Sequence, residues 1–161
     1  MGVKSNSPQE IYFGSFDSTE GSGIGLDPIP PVPFTATGGT TSEPGNGYKY
    51  HLFTTSGSFV GTGDPVTGAE VLVVAGGGGG GSYYGGGGGG GGVVNATSVT
   101  FAAGTYPVVI GTGGPGGSPG SQAPSGVNST FGNPTPGPAY YLLAKGGGGG
   151  GGTYFAPQGT G

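Results

Sequence analysis

Apolar and polar positions alternate in short stretches, and no segment repeats its apolar residues at helical spacing over ten residues. "YKYHLF" sets Tyr48, Tyr50 and Leu52 on one face of a strand. "SGSFV", residues 56–60, follows a turn at Ser56-Gly57. "EVLVVA", residues 70–75, is apolar after its first position, as expected of a strand buried on both faces. "SVTFAAGTYPVVI", residues 98–110, reads as two strands joined at Ala103-Gly104. Pro107 lies inside the second of them, which places that strand at a sheet edge there. "YYLLA", residues 140–144, is the last. Loops of Gly, Pro, Asn and Thr separate these runs at short spacing. The pattern predicts an all-β fold, a small antiparallel β-sandwich with essentially no α-helix.

Glycine changes this picture. The chain has 46 glycines among 161 residues. More than half of them are grouped, at 76–81, 85–92 and 146–152 and in a looser group, "GTGGPGGSPGS", at 111–121. Each group leaves or enters a strand. All are therefore expected to project from one end of the sandwich, as polyglycine-II-type extensions. That form has three residues per turn and a rise of ~3.1 Å, and lies extended without internal hydrogen bonds. Side by side, such chains can bond one another through backbone N–H and C=O, because no side chain holds them apart. The ordering entropy is large, about 1–2 kcal/mol per residue, so anchoring by the strands matters. The other reading is a set of flexible loops.

Residues 1–47 are of another kind. "PQEIYFGSF" holds one short strand-like run, Ile11, Tyr12 and Phe13. "GLDPIPPVPF" carries Pro28, Pro30, Pro31 and Pro33, which favours an extended spacer and rules out helix. "TATGGTTSEPGNG" is turn and loop chemistry. The region is expected to be an extended attachment arm, with these aromatic and proline residues as its assembly contacts. Composition fits a flexible tail equally. Residues 48–161 are the glycine-rich β-sandwich domain, which can continue beyond the chain end as a longer fibre.

Composition excludes several functions. The only cations are Lys4, Lys49 and Lys145, with a net charge of -4. No basic cluster exists to bind nucleic acid or an anionic membrane. The longest apolar run, residues 71–75, is far short of a membrane span, and "MGVKSNSPQE" has no apolar signal core. There is no cysteine, so neither a disulfide nor a thiolate metal site can form. His51 is the single histidine and sits in a strand; Glu10, Asp17, Glu20, Asp27, Glu43, Asp64 and Glu70 are scattered. Asp64 and Glu70 flank one strand without a supporting base. The glycine groups lack the Lys-Ser/Thr and the following helix of a phosphate loop. No catalytic residue, metal or cofactor is expected. Asn95 and Asn128 stand in N-x-S/T triplets, which arise easily by chance.

What chemistry remains lies at the tips of the glycine groups. Ser82, Tyr83 and Tyr84 form one tip, and Thr153, Tyr154 and Phe155 another. Both are a hydroxyl residue followed by two aromatics. Rigid exposed aromatics supply contact area for a partner. The alternative is that these rings cap their own bundle or touch a sister subunit.

The order "SGSFV", "VLVVAGGGGGG", "AGTYPVVIGTGG" and "LLAKGGGGGGG" resembles the glycine-rich domain of bacteriophage virion proteins, tail-fibre proteins among them. "EIYFGS" resembles short segments of phage structural proteins. The resemblance implies a non-enzymatic virion protein, in a tail or head fibre or a capsid decoration. It implies other virion proteins and further copies of the chain as partners, a trimer being one natural form. Similarity to T-even-like phage adhesins, whose polyglycine-II tips recognise the host, gives Ser82, Tyr83, Tyr84, Thr153, Tyr154 and Phe155 contact with a host-surface glycan or protein. The alternative is a subunit of a bacterial extracellular filament or surface adhesin, whose arm inserts into the next subunit. A weaker third option is an ice- or polysaccharide-binding module with a flat glycine face.

Overall fold

A computed structural model describes residues 30–134 and 140–152. The chain divides into two compact units, Met1–Pro33 and Phe34–Gly161. Of the first, only residues 30–33 are described, and Pro30, Pro31 and Pro33 are exposed. Ile11, Tyr12, Phe13 and Pro28 lie outside the described residues, as do Thr153, Tyr154 and Phe155.

The second unit is all-β, with no helix among the described residues. In chain order its strands are β1 (Thr35–Thr37), β2 (Thr40–Ser42), β3 (Tyr50–Leu52), β4 (Gly57–Thr62), β5 (Val66–Val74), β6 (Val93–Phe101), β7 (Gly104–Val109), β8 (Ser129–Gly132) and β9 (Tyr141–Ala144). The order β1-β4-β7-β8-β9 makes a five-stranded antiparallel sheet; β2–β3 and β5–β6 are two-stranded ribbons.

The β5–β6 ribbon packs against the large sheet and closes the core between two layers. Val73, Val99 and Phe101 come from the ribbon; Phe59, Tyr106, Val108, Phe131 and Ala144 come from the sheet. At its centre Phe59, Phe101, Tyr106 and Phe131 gather with centroids 5.0–6.0 Å apart. Tyr106 and Phe131 stack at 12°. The Tyr106 hydroxyl donates to the Ala102 carbonyl at 3.0 Å, so the buried phenol keeps a partner. Each fully buried ring of this kind contributes about 1.5–3 kcal/mol. Phe34, Phe53, Ile110 and Leu142 pack around it, partly buried.

Two sequence expectations need correction, and a third holds locally. Residues 70–75 are not buried on both faces: Val73 and Ala75 are buried, while Leu72 and Val74 are exposed. The strand lies in a ribbon that covers one side of the core only, so its outer apolar residues meet no second layer. At Pro107 the strand is a local edge, as expected: Pro107 pairs with Ser58 of β4 on one side only, although β7 is the middle strand of the large sheet. Pairing of β7 with β8 starts at Val108, one residue past the proline, and the missing N–H is accommodated there. Finally, "TATGGTTS" is not only loop. It holds β1 and β2, and Gly38 and Gly39 between them take positive φ of 108° and 64°, turning the chain from one sheet into another.

Beyond Ala75, Val109 and Ala144 the chain leaves β5, β7 and β9 for glycine-rich runs, and it returns through further runs into β6 and β8. Because β8 and β9 pair Ser129 with Ala144, those ends of the large sheet lie side by side. The runs are bonded to one another throughout. The 75–81 run is central. Its amides at Ala75, Gly78 and Gly81 donate to Gly92, Gly89 and Gly86 at 2.8–2.9 Å. Its amides at Gly76 and Gly79 donate to Val127 and Pro124. Its carbonyls at Gly77 and Gly80 accept from Gly114 and Gly117, and those at Gly76 and Gly79 accept from Gly147 and Gly150. Each direction is served by every third residue. The outer runs close on each other as well: Gly86, Gly89 and Gly92 donate to Gly151, Gly148 and Lys145, and Ala123 and Gly126 donate to Gly150 and Gly147.

Packing follows the same period. Gly76, Gly79, Gly147 and Gly150 are buried with almost nothing but backbone around them. A Cβ on Gly79 would overlap the Pro115 carbonyl, whereas a Cβ on Gly80 would meet nothing within 4 Å. Glycine is thus required where two backbones touch and is merely permitted where the run faces outward.

Candidate functional site

The site predicted at the first tip lies at the far end of this bundle. The turn over residues 82–85 is closed by the Gly85 amide donating to the Ser82 carbonyl at 2.9 Å. The Gly81 amide donates to the Gly86 carbonyl just beneath it at 2.8 Å. Tyr83 occupies the first central position with φ 53°. Glycine is the usual occupant of such a position; a tyrosine there stores about 1–3 kcal/mol of backbone strain. Both rings point outward: Tyr83 is 69% and Tyr84 81% exposed.

Ser82 has a different part. Its hydroxyl donates to the Ser118 carbonyl at 2.9 Å. Ser118 opens a second turn, in which Ser121 N–H donates back to Ser118 at 3.0 Å and Gly120 takes φ 77°. Proline followed by positive-φ glycine is the signature of a type II turn, and Pro119-Gly120 supplies it. The serine hydroxyl ties two neighbouring tips together and sets the platform from which the tyrosines project. Thr153, Tyr154 and Phe155 follow the last described residue of the 145–152 run, and their own placement is outside the described residues.

Sequence reasoning missed one member of the bundle, residues 121–128. "SQAPSGVN" contains little glycine, yet the central run bonds to its Val127 and Pro124 carbonyls, and Ala123 is buried. The available signal was the spacing of three between Ala123 and Gly126, the positions that must be small. Its polar side chains replace missing backbone bonds. Asn128 Oδ1 accepts from Gly146, Ser125 Oγ accepts from Gly149, and Gln122 Nε2 donates to the Gly149 carbonyl. Asn128 thus has a structural bond, which gives the sequon residue another employment.

Two exposed apolar patches were also not foreseen as surfaces. On β3, Tyr50 and Leu52 share an outward face as expected, and Tyr48, which precedes the strand, is exposed beside them. Tyr48 and Tyr50 lie 6.3 Å apart beside an open depression of about 410 Å3 lined by Glu43, Gly45, Gly47, Tyr48 and Lys49. The Lys49–Glu43 pair there, at 3.0 Å, is exposed and contributes little. On the outer face of β5–β6, Leu72, Val74 and Val93 are exposed, with Val74 opposite Val93.

His51 has a structural environment. Its Nδ1 is 2.8 Å from the Gly38 carbonyl, and its ring meets Phe59 edge-on at 5.2 Å. Among the described residues, no group of three or more His, Cys, Asp or Glu could hold a metal ion. Nor is any helix among them long and apolar enough to cross a membrane.

No curated protein and no solved structure matches the chain. A family described as the glycine-rich domain matches residues 54–161, from the turn before β4 through the last glycine run. The match takes in the core strands β4 to β9 and the whole hydrogen-bonded bundle, and the chain therefore belongs to this glycine-rich domain family.

Proposed function

We propose that the runs form a polyglycine-II bundle, and that the chain is a non-enzymatic structural protein of a bacteriophage particle. It serves there in a tail or head fibre or as a capsid decoration. Bonds at every third residue, and the absence of positive φ from glycines 76–81, 85–92 and 146–152, support the threefold extended form. The observation that carries the functional reading is the tip: a strained, outward-facing Tyr83 beside an exposed Tyr84 on a platform braced by Ser82. Strain held at an exposed turn points to a constraint other than folding. Two rigid aromatics at the end of a stalk suit a flat apolar or glycan surface on a host cell. Other virion proteins and further copies of the chain are its remaining partners, and the N-terminal arm is the attachment segment.

The test has two readouts. Antibody labelling of purified particles, viewed by electron microscopy, should place the protein on the tail or the head. Absence from particles, or assembly of the pure chain into long fibres on its own, removes the virion reading in favour of the bacterial filament. The double change Tyr83→Ser, Tyr84→Ser should leave incorporation intact and lower host adsorption by about tenfold or more. Unchanged adsorption with normal incorporation would reject the tip as the receptor contact.

A further inference from the structure

A threefold extended chain directs one N–H and one C=O along each of three directions, so up to about six neighbours can bond it. Around the central 75–81 run the bonded neighbours are the runs at 85–92, 145–152, 121–128 and 111–118. Cross-bonds fix their order. The 85–92 run bonds the 145–152 run, that run bonds the 121–128 run, and the Val127 amide donates to Thr112 of the 111–118 run. These four form an arc. No bond joins the 85–92 run to the 111–118 run, so the arc is open between them.

The open side has its own chemistry. Gly80, Gly113 and Gly116 are exposed there, and Gly77 is half-buried. Among the described residues none of their four amides has a protein partner. Cβ atoms on Gly80 and Gly116 would meet nothing within 4 Å, and one on Gly77 or Gly113 would touch only neighbouring backbone atoms at 3.5–3.8 Å. This face therefore carries backbone donors at a three-residue repeat and no side chains. It is the counterpart, for this kind of packing, of an unpaired sheet edge.

The geometry points to this open side as an interface that takes a glycine run from a second copy of the chain. The inference rests on the polyglycine-II reading above. The donor repeat of about 9 Å matches a threefold extended segment; a β-strand, repeating every two residues at about 6.8 Å, falls out of step after one bond. A side chain on the approaching segment would hold the backbones beyond bonding distance. Inside the bundle the same face chemistry is already satisfied by antiparallel runs of this same chain, as between 75–81 and 85–92. A second copy thus supplies the right repeat, the right absence of side chains and the right donors and acceptors.

Sedimentation velocity on the purified chain over a wide concentration range tests this. Gly80→Val and Gly116→Val place a branched side chain in the open side where the fold has room for it. Gly148→Val does the same on the 145–152 run, which lies across the central run from the opening, and its Cβ also meets nothing within 4 Å. The native chain and Gly148→Val should self-associate. Gly80→Val and Gly116→Val should raise the dissociation constant by more than about tenfold with unchanged melting temperature and circular dichroism. A native chain that stays monomeric, or association that survives both changes, overturns the inference. Glycine amide exchange separates the two levels. Protected Gly79 and Gly150 in a monomeric chain would sink the interface alone, while free-peptide exchange at those amides would sink the bundle and the interface together.

Discussion

At the scale of single residues, the glycines of this chain are of two kinds that composition cannot distinguish. Gly79 donates to Pro124, accepts from Gly150 and has no room for a Cβ; Gly80 beside it faces open space. Gly79→Ala should cost about 1–3 kcal/mol, the penalty of forcing a methyl group into closed packing. Gly80→Ala should be neutral or add about 0.4–1 kcal/mol, because it restricts the unfolded chain without touching a neighbour. Urea denaturation of the two variants side by side decides this, and equal effects would contradict a packed bundle. Tyr83 is the reverse case. Tyr83→Gly should relieve the left-handed strain, offset in part by the entropy of glycine, and raise stability by roughly 0.5 kcal/mol while removing an exposed ring. A fall in melting temperature would mean that the ring makes a stabilising contact.

At the scale of elements, the strands were legible because apolar positions alternate in short stretches. β7 and β9 fall within "SVTFAAGTYPVVI" and "YYLLA", β4 overlaps "SGSFV" and runs two residues past it, and only the end of β6 was marked. The Ala103-Gly104 join was legible for the same reason. Burial was less so. An apolar run such as 70–75 has the same composition whether one face or both are covered, and only the position of β5 in an outer ribbon decides it. Pro107 marked a local edge only: β8 begins to pair one residue later, so β7 as a whole still lies in the middle of the sheet. The 121–128 run was hidden because glycine density is a poor marker of a requirement that holds at only one position in three. The first tip was visible as a break in glycine, but its strained tyrosine and serine brace depend on pairing between runs far apart in sequence. Amide exchange should expose that pairing directly. In the monomer, Gly76, Gly79, Gly147 and Gly150 should exchange slowly, and Gly77 and Gly80 fast, giving a three-residue rhythm along one run. Uniformly fast exchange would remove the bundle.

At the scale of the whole molecule, two kinds of cohesion are joined end to end. The sheets hold together by burying a small aromatic cluster around Phe59, Phe101, Tyr106 and Phe131. The bundle has almost no apolar side chain to bury, and its gain comes from backbone bonds in close-packed surroundings, each contributing about 0.5–1.5 kcal/mol net. This difference has a calorimetric signature. Exposed apolar surface raises the heat capacity on unfolding and exposed peptide surface lowers it, for a usual net of about 12–15 cal/mol/K per residue. Here the sheets contribute the positive part, while glycine runs expose mainly peptide groups. The heat-capacity change per residue should therefore fall clearly below the usual range, and the stability curve should be unusually flat with temperature. Scanning calorimetry across a pH series measures it. A value in the usual range would mean that the bundle opens without exposing its peptide groups together with the core, and so does not unfold as one unit with the sheets.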